Sequence, residues 1–258
     1  MKQAFKQHWK LYLMEALGLA IFMISACFFA GFFESSASFA NKALPADVRH
    51  ILNGILMGAT ALFIFYSPFT SPSGAHINPA VTITFFRLGK ISKNDALFYI
   101  LFQFLGGTIA VYIMAFLMKD MLTASPVKYA VTIPGKYGVL PALITEFIIA
   151  FIMITMVLFT SSDNTLKRYT KIIAGCFVSL YVIFAGPVSG FGMNPARTFA
   201  SAFPAHTYTA FWIYLFVPVA GMLAAAEFYL LYKRIITSNR MSLTGMHMYH
   251  PHKIKTNV

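Results

Sequence analysis

Residues 67–90, SPFTSPSGAHINPAVTITFFRLGK, and residues 186–204, GPVSGFGMNPARTFASAFP, decide the fold. Both are too apolar and too rich in Gly and Pro to be ordinary solvated connections. Each runs from a Gly-rich stretch into Asn-Pro-Ala and then into helix-compatible sequence. Asn is a strong N-cap, and Pro suits the first helical position because the N–H it lacks has no partner there. Asn78-Pro79 and Asn194-Pro195 therefore predict helix starts. About nine residues at about 1.5 Å each reach about 14 Å, half of a bilayer core. Each stretch predicts a half-helix that dips into a membrane without crossing it.

Composition agrees with a lipid setting. Hydrophobic residues are 58% of the 258, and the 16 glycines raise the apolar share to about 64%, against about 45–50% in soluble domains. Charged residues are 11%, where a soluble surface needs about 25%. Soluble enzymes, disordered scaffolds and nucleic-acid modules are excluded on that ground. Six apolar stretches, 11–33, 51–67, 96–118, 139–160, 172–188 and 209–232, run 17 to 24 residues, the length a helix needs to span hydrocarbon. The first is too long for a signal-peptide core, has no convincing cleavage site, and counts as a span.

The net charge of +12 does not point to nucleic acid, because the basic residues collect between the apolar runs. With six spans both termini share a side. That side carries 14 of the 20 Lys and Arg, including Lys2, Lys6 and Lys10, and the other carries 6. Both termini, and a tail at 241–258, are expected in the cytoplasm of a cell bounded by this plasma or inner membrane. Cys27 and Cys176 lie inside apolar runs, so neither a disulfide framework nor a zinc spacing is available.

The halves correspond. Glu15 in the first span matches Glu146 in the fourth, and each half, about 11–118 and 139–232, runs span, span, half-helix loop, span. Three spans is odd, so the second copy enters the membrane inverted and the half-helices meet N-terminus to N-terminus near the midplane. The expected fold is an all-α membrane protein of six transmembrane helices and two re-entrant half-helices in an inverted 3+3 repeat.

GAHINPAVT and GFGMNPARTF resemble the paired signatures of the aquaporin and glycerol-facilitator family. The resemblance covers nearly the whole chain, and implies one channel domain over 1–240, assembled as a homotetramer in lipid, with one pore per subunit. Water and small uncharged solutes would pass, and protons and ions would not. Asn78, Pro79, Ala80, Asn194, Pro195 and Ala196 form the two motifs. By the resemblance, backbone carbonyls of Gly74, Ala75, His76 and Ile77, and of Gly190, Phe191, Gly192 and Met193, face the pore. Irregular backbone at membrane depth is tolerable where it lines a wet cavity. Glu15 and Glu146 would be buried braces for the two loops, and His76 a side chain bracing its own loop rather than a metal ligand or relay. Arg197 is too costly to face lipid, and its fork of donors suits a neutral oxygen while repelling cations.

The resemblance also implies a constriction. Counting back from the motif asparagines puts Gly58, Val182 and Phe191 there beside Arg197, with Met57 or Ala59 the neighbours of Gly58. Such an opening is wide and apolar on two sides, which suits glycerol. Gly58 also closes a Gly54-x-x-x-Gly58 pattern, whose ordinary role is close helix packing. Thr198, Ala202 and Phe211-Trp212 look like the strictly water-selective class instead. An ion- or proton-coupled carrier is the competing reading from another class. An intramembrane enzyme is not expected, since no Ser with a nearby intramembrane His can be assembled. No cofactor, metal or nucleic acid is expected. His247, His250 and His252 in the tail read as solvated, and Asp95 reads as an N-terminal cap of the third span, with Ser92 three residues earlier.

Overall fold

The computed structural model describes the backbone of residues 1–243 and the side chains through residue 236. Among these residues there is no strand. The helices are α1 (Lys2–Glu34), α2 (Phe39–Ala43), α3 (Ala46–Tyr66), α4 (Pro79–Arg87), α5 (Lys93–Met118), α6 (Asp120–Thr123), α7 (Val139–Ser162), α8 (Thr170–Phe184), α9 (Gly186–Ser189), α10 (Pro195–Ala205) and α11 (Phe211–Leu243). Large apolar side chains point outward at helical spacing, Leu97, Leu101, Leu105 and Ile109 on α5 among them, as lipid-facing helices require. The tail histidines His247, His250 and His252 lie outside the described residues.

Three helix pairs build the bundle: α1 with α5, α7 with α11, and α3 with α8. In lipid no hydrophobic effect drives helices together, so small residues that let backbones approach are the means of contact. Gly106 of α5 lies directly on the backbone of Ala16, and Gly221 of α11 lies on the carbonyl of Phe147. These two contacts are the same contact in the two halves. The offset from Ala16 to Phe147 is 147 − 16 = 131 residues, equal to that from Glu15 to Glu146, 146 − 15 = 131. Gly106 to Gly221 is 221 − 106 = 115, close to the motif offset of 194 − 78 = 116. The first half is longer between its first span and its motif, where α2 is inserted.

Five helices are long and apolar enough to cross a membrane: α1, α3, α5, α7 and α11. The fifth apolar stretch departs from the single span expected over 172–188. Its helix, α8, has 15 residues and stops at Phe184, and α9 is a separate turn beginning at Gly186-Pro187. Pro187 has no N–H for the carbonyl four residues back, at Ile183, so the ladder breaks there. The Nε2 of His50, from α3, takes that carbonyl instead at 2.8 Å.

At the other ends, Ser92 caps α5 by accepting from the Asp95 backbone N–H at 3.2 Å. Asp95, expected as the cap, is not the cap: its Oδ1 accepts from the Tyr12 hydroxyl at 2.6 Å and pairs with His8 Nδ1 at 2.8 Å, tying α5 to α1. Beyond α7, Asp163 accepts from the N–H groups of Leu166 and Thr165 at 2.9 and 2.8 Å, which hold its carboxyl below the usual range and fix the turn into α8.

Candidate functional site

The half-helices form where the sequence places them. Asn78 caps α4, its Oδ1 accepting from Ala80 N at 2.8 Å, and Asn194 caps α10, accepting from Ala196 N at 3.0 Å and Arg197 N at 3.1 Å. Pro79 and Pro195 occupy the first helical positions. The two loops also grip each other: Asn78 Nδ2 donates to the Met193 carbonyl at 2.8 Å, and Asn194 Nδ2 to the Ile77 carbonyl at 2.7 Å.

Before each cap the backbone repeats one unusual conformation. Gly74, Ala75 and Ile77 have φ of +90°, +46° and +42°, and Gly190, Phe191 and Met193 have +80°, +49° and +42°. Non-glycine residues avoid this region, so both segments must be held from outside. Two buried glutamates do so. Glu15 accepts from Ser73 Oγ at 2.6 Å, His76 N at 2.9 Å and Ile77 N at 2.6 Å. Glu146 accepts from Ser189 Oγ at 2.7 Å, Gly192 N at 2.8 Å and Met193 N at 2.5 Å. Tyr99 and Tyr214 complete the pattern by donating to the carbonyls of Ser73 and Ser189 at 2.9 and 2.6 Å. The halves differ at one point. Gln103 Nε2 adds a fourth bond to Glu15 at 2.8 Å, and the corresponding position of α11, 115 residues on, is Pro218.

Two cavities approach this centre from opposite ends. The inner one, in the orientation expected from the Lys and Arg distribution, is about 240 Å³, reaches Ser71 and Lys171 and is walled largely by apolar side chains. His76 borders it, its Nδ1 3.2 Å from Thr82 Oγ1 and its ring packed on Phe85. The outer cavity, about 350 Å³, is bordered by Glu34, His50, Asn53, Met57 and Val182. Phe22, Phe191 and Arg197 border both, so the cavities abut at these three side chains. Each of the eight loop residues expected to offer carbonyls borders one cavity or the other. Asn194 borders the inner cavity, whereas Asn78 is buried and borders neither cavity.

Of the four residues expected at the constriction, Val182, Phe191 and Arg197 lie at the cavities, and Gly58 does not. A Cβ on Gly58 would collide with Ser179 Oγ, because Gly58 sits in the contact between α3 and α8; its neighbour Met57 borders the outer cavity instead. Counting from the motif alone does not register that packing. Phe22 also escaped sequence reasoning, as one more aromatic in an apolar run. Thr132 escaped it too: this buried side chain, in the segment between α6 and α7, accepts from Arg197 Nη1 and fixes the guanidinium. Nothing in the local pattern VTIPG marks it.

The family model for the major intrinsic proteins matches residues 2–229. Among curated relatives, a probable aquaporin of NIP type from Nicotiana alata is 36% identical over 159 residues, which is 61% of this chain and 57% of that protein. Aquaporin NIP1-3 from Oryza sativa subsp. japonica is 32% identical over 207 residues, 80% of this chain and 70% of that one. Nodulin-26 from Glycine max is 34% identical over 158 residues, 61% of this chain and 56% of that protein. Matches of this kind span less than two thirds of the length of the first of these relatives and of nodulin-26. The X-ray structure of the aquaglyceroporin from Plasmodium falciparum superposes with a TM-score of 0.72 at 21% identity, covering 86% of this chain and 95% of that one.

Proposed function

The chain belongs to the major intrinsic protein family, and from that premise we propose that this integral membrane protein is a passive channel for water and small uncharged solutes such as glycerol. The observation that carries this reading is the meeting of two cavities, one from each side, at Phe22, Phe191 and Arg197. Facing helix N-termini place about half a positive charge each behind that point. Each motif amide spends one N–H on the opposite loop and keeps a second for a passing oxygen. A water held by such donors cannot accept a proton along a file, and Arg197 adds a fixed positive charge against cations.

The selectivity wall in this reading is Met57, Val182, Phe191 and Arg197, with Gly58 given to helix packing. Glu15 and Glu146 brace the loops rather than relay protons, since all their bonds go to loop hydroxyls, loop amides and, for Glu15, Gln103. Residues 1–240 make one channel domain, the functional unit is a homotetramer in the plasma or inner membrane, and both termini are cytoplasmic, as the distribution of Lys and Arg requires. A strictly water-selective channel is the second reading, favoured by Thr198 and Phe211-Trp212. Stopped-flow light scattering on proteoliposomes tests the reading. Water and glycerol flux above empty vesicles, with no proton flux, is expected. Flux driven by a proton or Na⁺ gradient would replace the channel by a carrier.

A further inference from the structure

We propose that His50 is a hydrogen-bond acceptor at the outer mouth that selects for solutes carrying hydroxyl or N–H donors. The inference rests on the channel reading and adds to it a specificity residue outside the motifs.

The chemistry begins with the break between α8 and α9. Pro187 cannot donate to the Ile183 carbonyl, and His50 Nε2 lies 2.8 Å from that oxygen. A carbonyl only accepts, so Nε2 carries the proton. In a neutral imidazole the other nitrogen, Nδ1, then holds a bare lone pair. Nδ1 has no protein partner among the described residues, and the ring borders the outer cavity. A helix break on one element thereby fixes the tautomer of a side chain on another, and leaves an acceptor on a ring that borders the solute path.

What surrounds it gives the class of ligand. His50, Asn53 and Met57 follow one another at spacings of three and four residues, so they share one face of α3. All three border the cavity; the Asn53 Oδ1 has no partner but is itself buried, so the accessible acceptor on this face is His50. The charged groups at this cavity are Glu34, which Arg49 Nη2 engages at 3.4 Å, and Arg197, a donor only. The His50 ring on α3 and the Arg197 donor border one cavity with the apolar Phe22 and Phe191. A short polyol, which donates and accepts on one edge and shows CH groups on the other, fits that arrangement. Water alone does not require it.

Three variants and one spectrum test this. His50→Lys keeps a donor for Ile183 and removes the acceptor; His50→Leu removes both; His50→Gln keeps both. In proteoliposomes, the ratio of glycerol to water permeability is expected to fall about fivefold to tenfold in His50→Lys and His50→Leu, the size of one lost hydrogen bond, and to stay within about twofold in His50→Gln. Unchanged ratios in folded His50→Lys and His50→Leu overturn the proposal. Should those variants fail to fold, ¹⁵N-histidine spectra of the wild type decide, with the His50 signals assigned by their loss in His50→Gln. A proton on Nε2 and an Nδ1 shift that moves on adding glycerol are expected, and a proton on Nδ1 or an unmoved shift overturns the proposal. A wild type without water or glycerol flux instead removes the channel reading itself, and one that passes water alone overturns only the role of His50.

Discussion

Asn78 and Asn194 each bond the other's loop: Asn78 Nδ2 reaches the Met193 carbonyl at 2.8 Å, and Asn194 Nδ2 reaches that of Ile77 at 2.7 Å. Each also caps its own helix through Oδ1. Asn78→Asp keeps the cap and loses the donor, whereas Asn78→Ala loses both. Thermal unfolding followed by size exclusion is expected to rank wild type above Asn78→Asp above Asn78→Ala, with steps of about 1 kcal/mol each. Equal stability of the two variants would show that the bond to Met193 contributes nothing.

Replacing a loop brace with Ala leaves buried donors unpaired, at about 1–3 kcal/mol each. Glu15 accepts four bonds and Glu146 three. Glu15→Ala is therefore expected to give less folded protein than Glu146→Ala. Glu15→Gln and Glu146→Gln keep an acceptor oxygen, and their water flux should stay within about threefold of wild type, since a net hydrogen bond is worth about 1 kcal/mol. Normal yield with flux abolished by Gln would make these residues relays.

Arg197→Val removes the fixed charge where the cavities meet, and proton or cation leak should appear while water flow continues. Thr132→Val leaves the charge and removes the acceptor that Nη1 uses. It should leave proton exclusion intact and alter the glycerol to water ratio, because the fork is free to move. A pH-sensitive dye inside the vesicles separates the two outcomes, and a proton leak in Thr132→Val would count against the division of roles.

Met57→Phe with Val182→His is expected to narrow the outer side and cut glycerol flux far more than water flux. Gly58→Phe should instead push α3 off α8 and cost folded protein, with no selective effect, because its Cβ has no room beside Ser179. A well-folded Gly58→Phe that excludes glycerol would return Gly58 to the constriction.

The parts of the fold carried by local chemistry were legible in the sequence. Asn-Pro announces a helix start through capping alone, and an apolar run of span length has few soluble explanations, so the half-helices and most spans fall where expected. The fifth apolar stretch holds a helix as expected, but that helix ends at Phe184, because hydropathy does not register that Pro187 breaks the ladder. The cavity-lining residues were only partly legible. Arg197 follows its motif directly and borders both cavities, but Met57 and Gly58 differ by about 100° around a helix, and a count along the chain cannot tell which one borders a cavity. His50 and Thr132 meet Ile183 and Arg197, 133 and 65 residues away, and Phe22 lines the same cavities as Phe191, 169 residues away, relations that no local pattern records.

The reciprocal grip of the two loops bears on biogenesis. Domains form from the N-terminus as the chain emerges, so the first half enters the bilayer while residues 186–204 are still unmade. Until they arrive, the Asn78 amide has no Met193 carbonyl and the Ile77 carbonyl has no Asn194 amide. A re-entrant loop with unpaired polar groups is unstable in hydrocarbon, so the first copy can settle only provisionally. Completion of both loops is then a single late event of insertion, shared between segments synthesised more than a hundred residues apart.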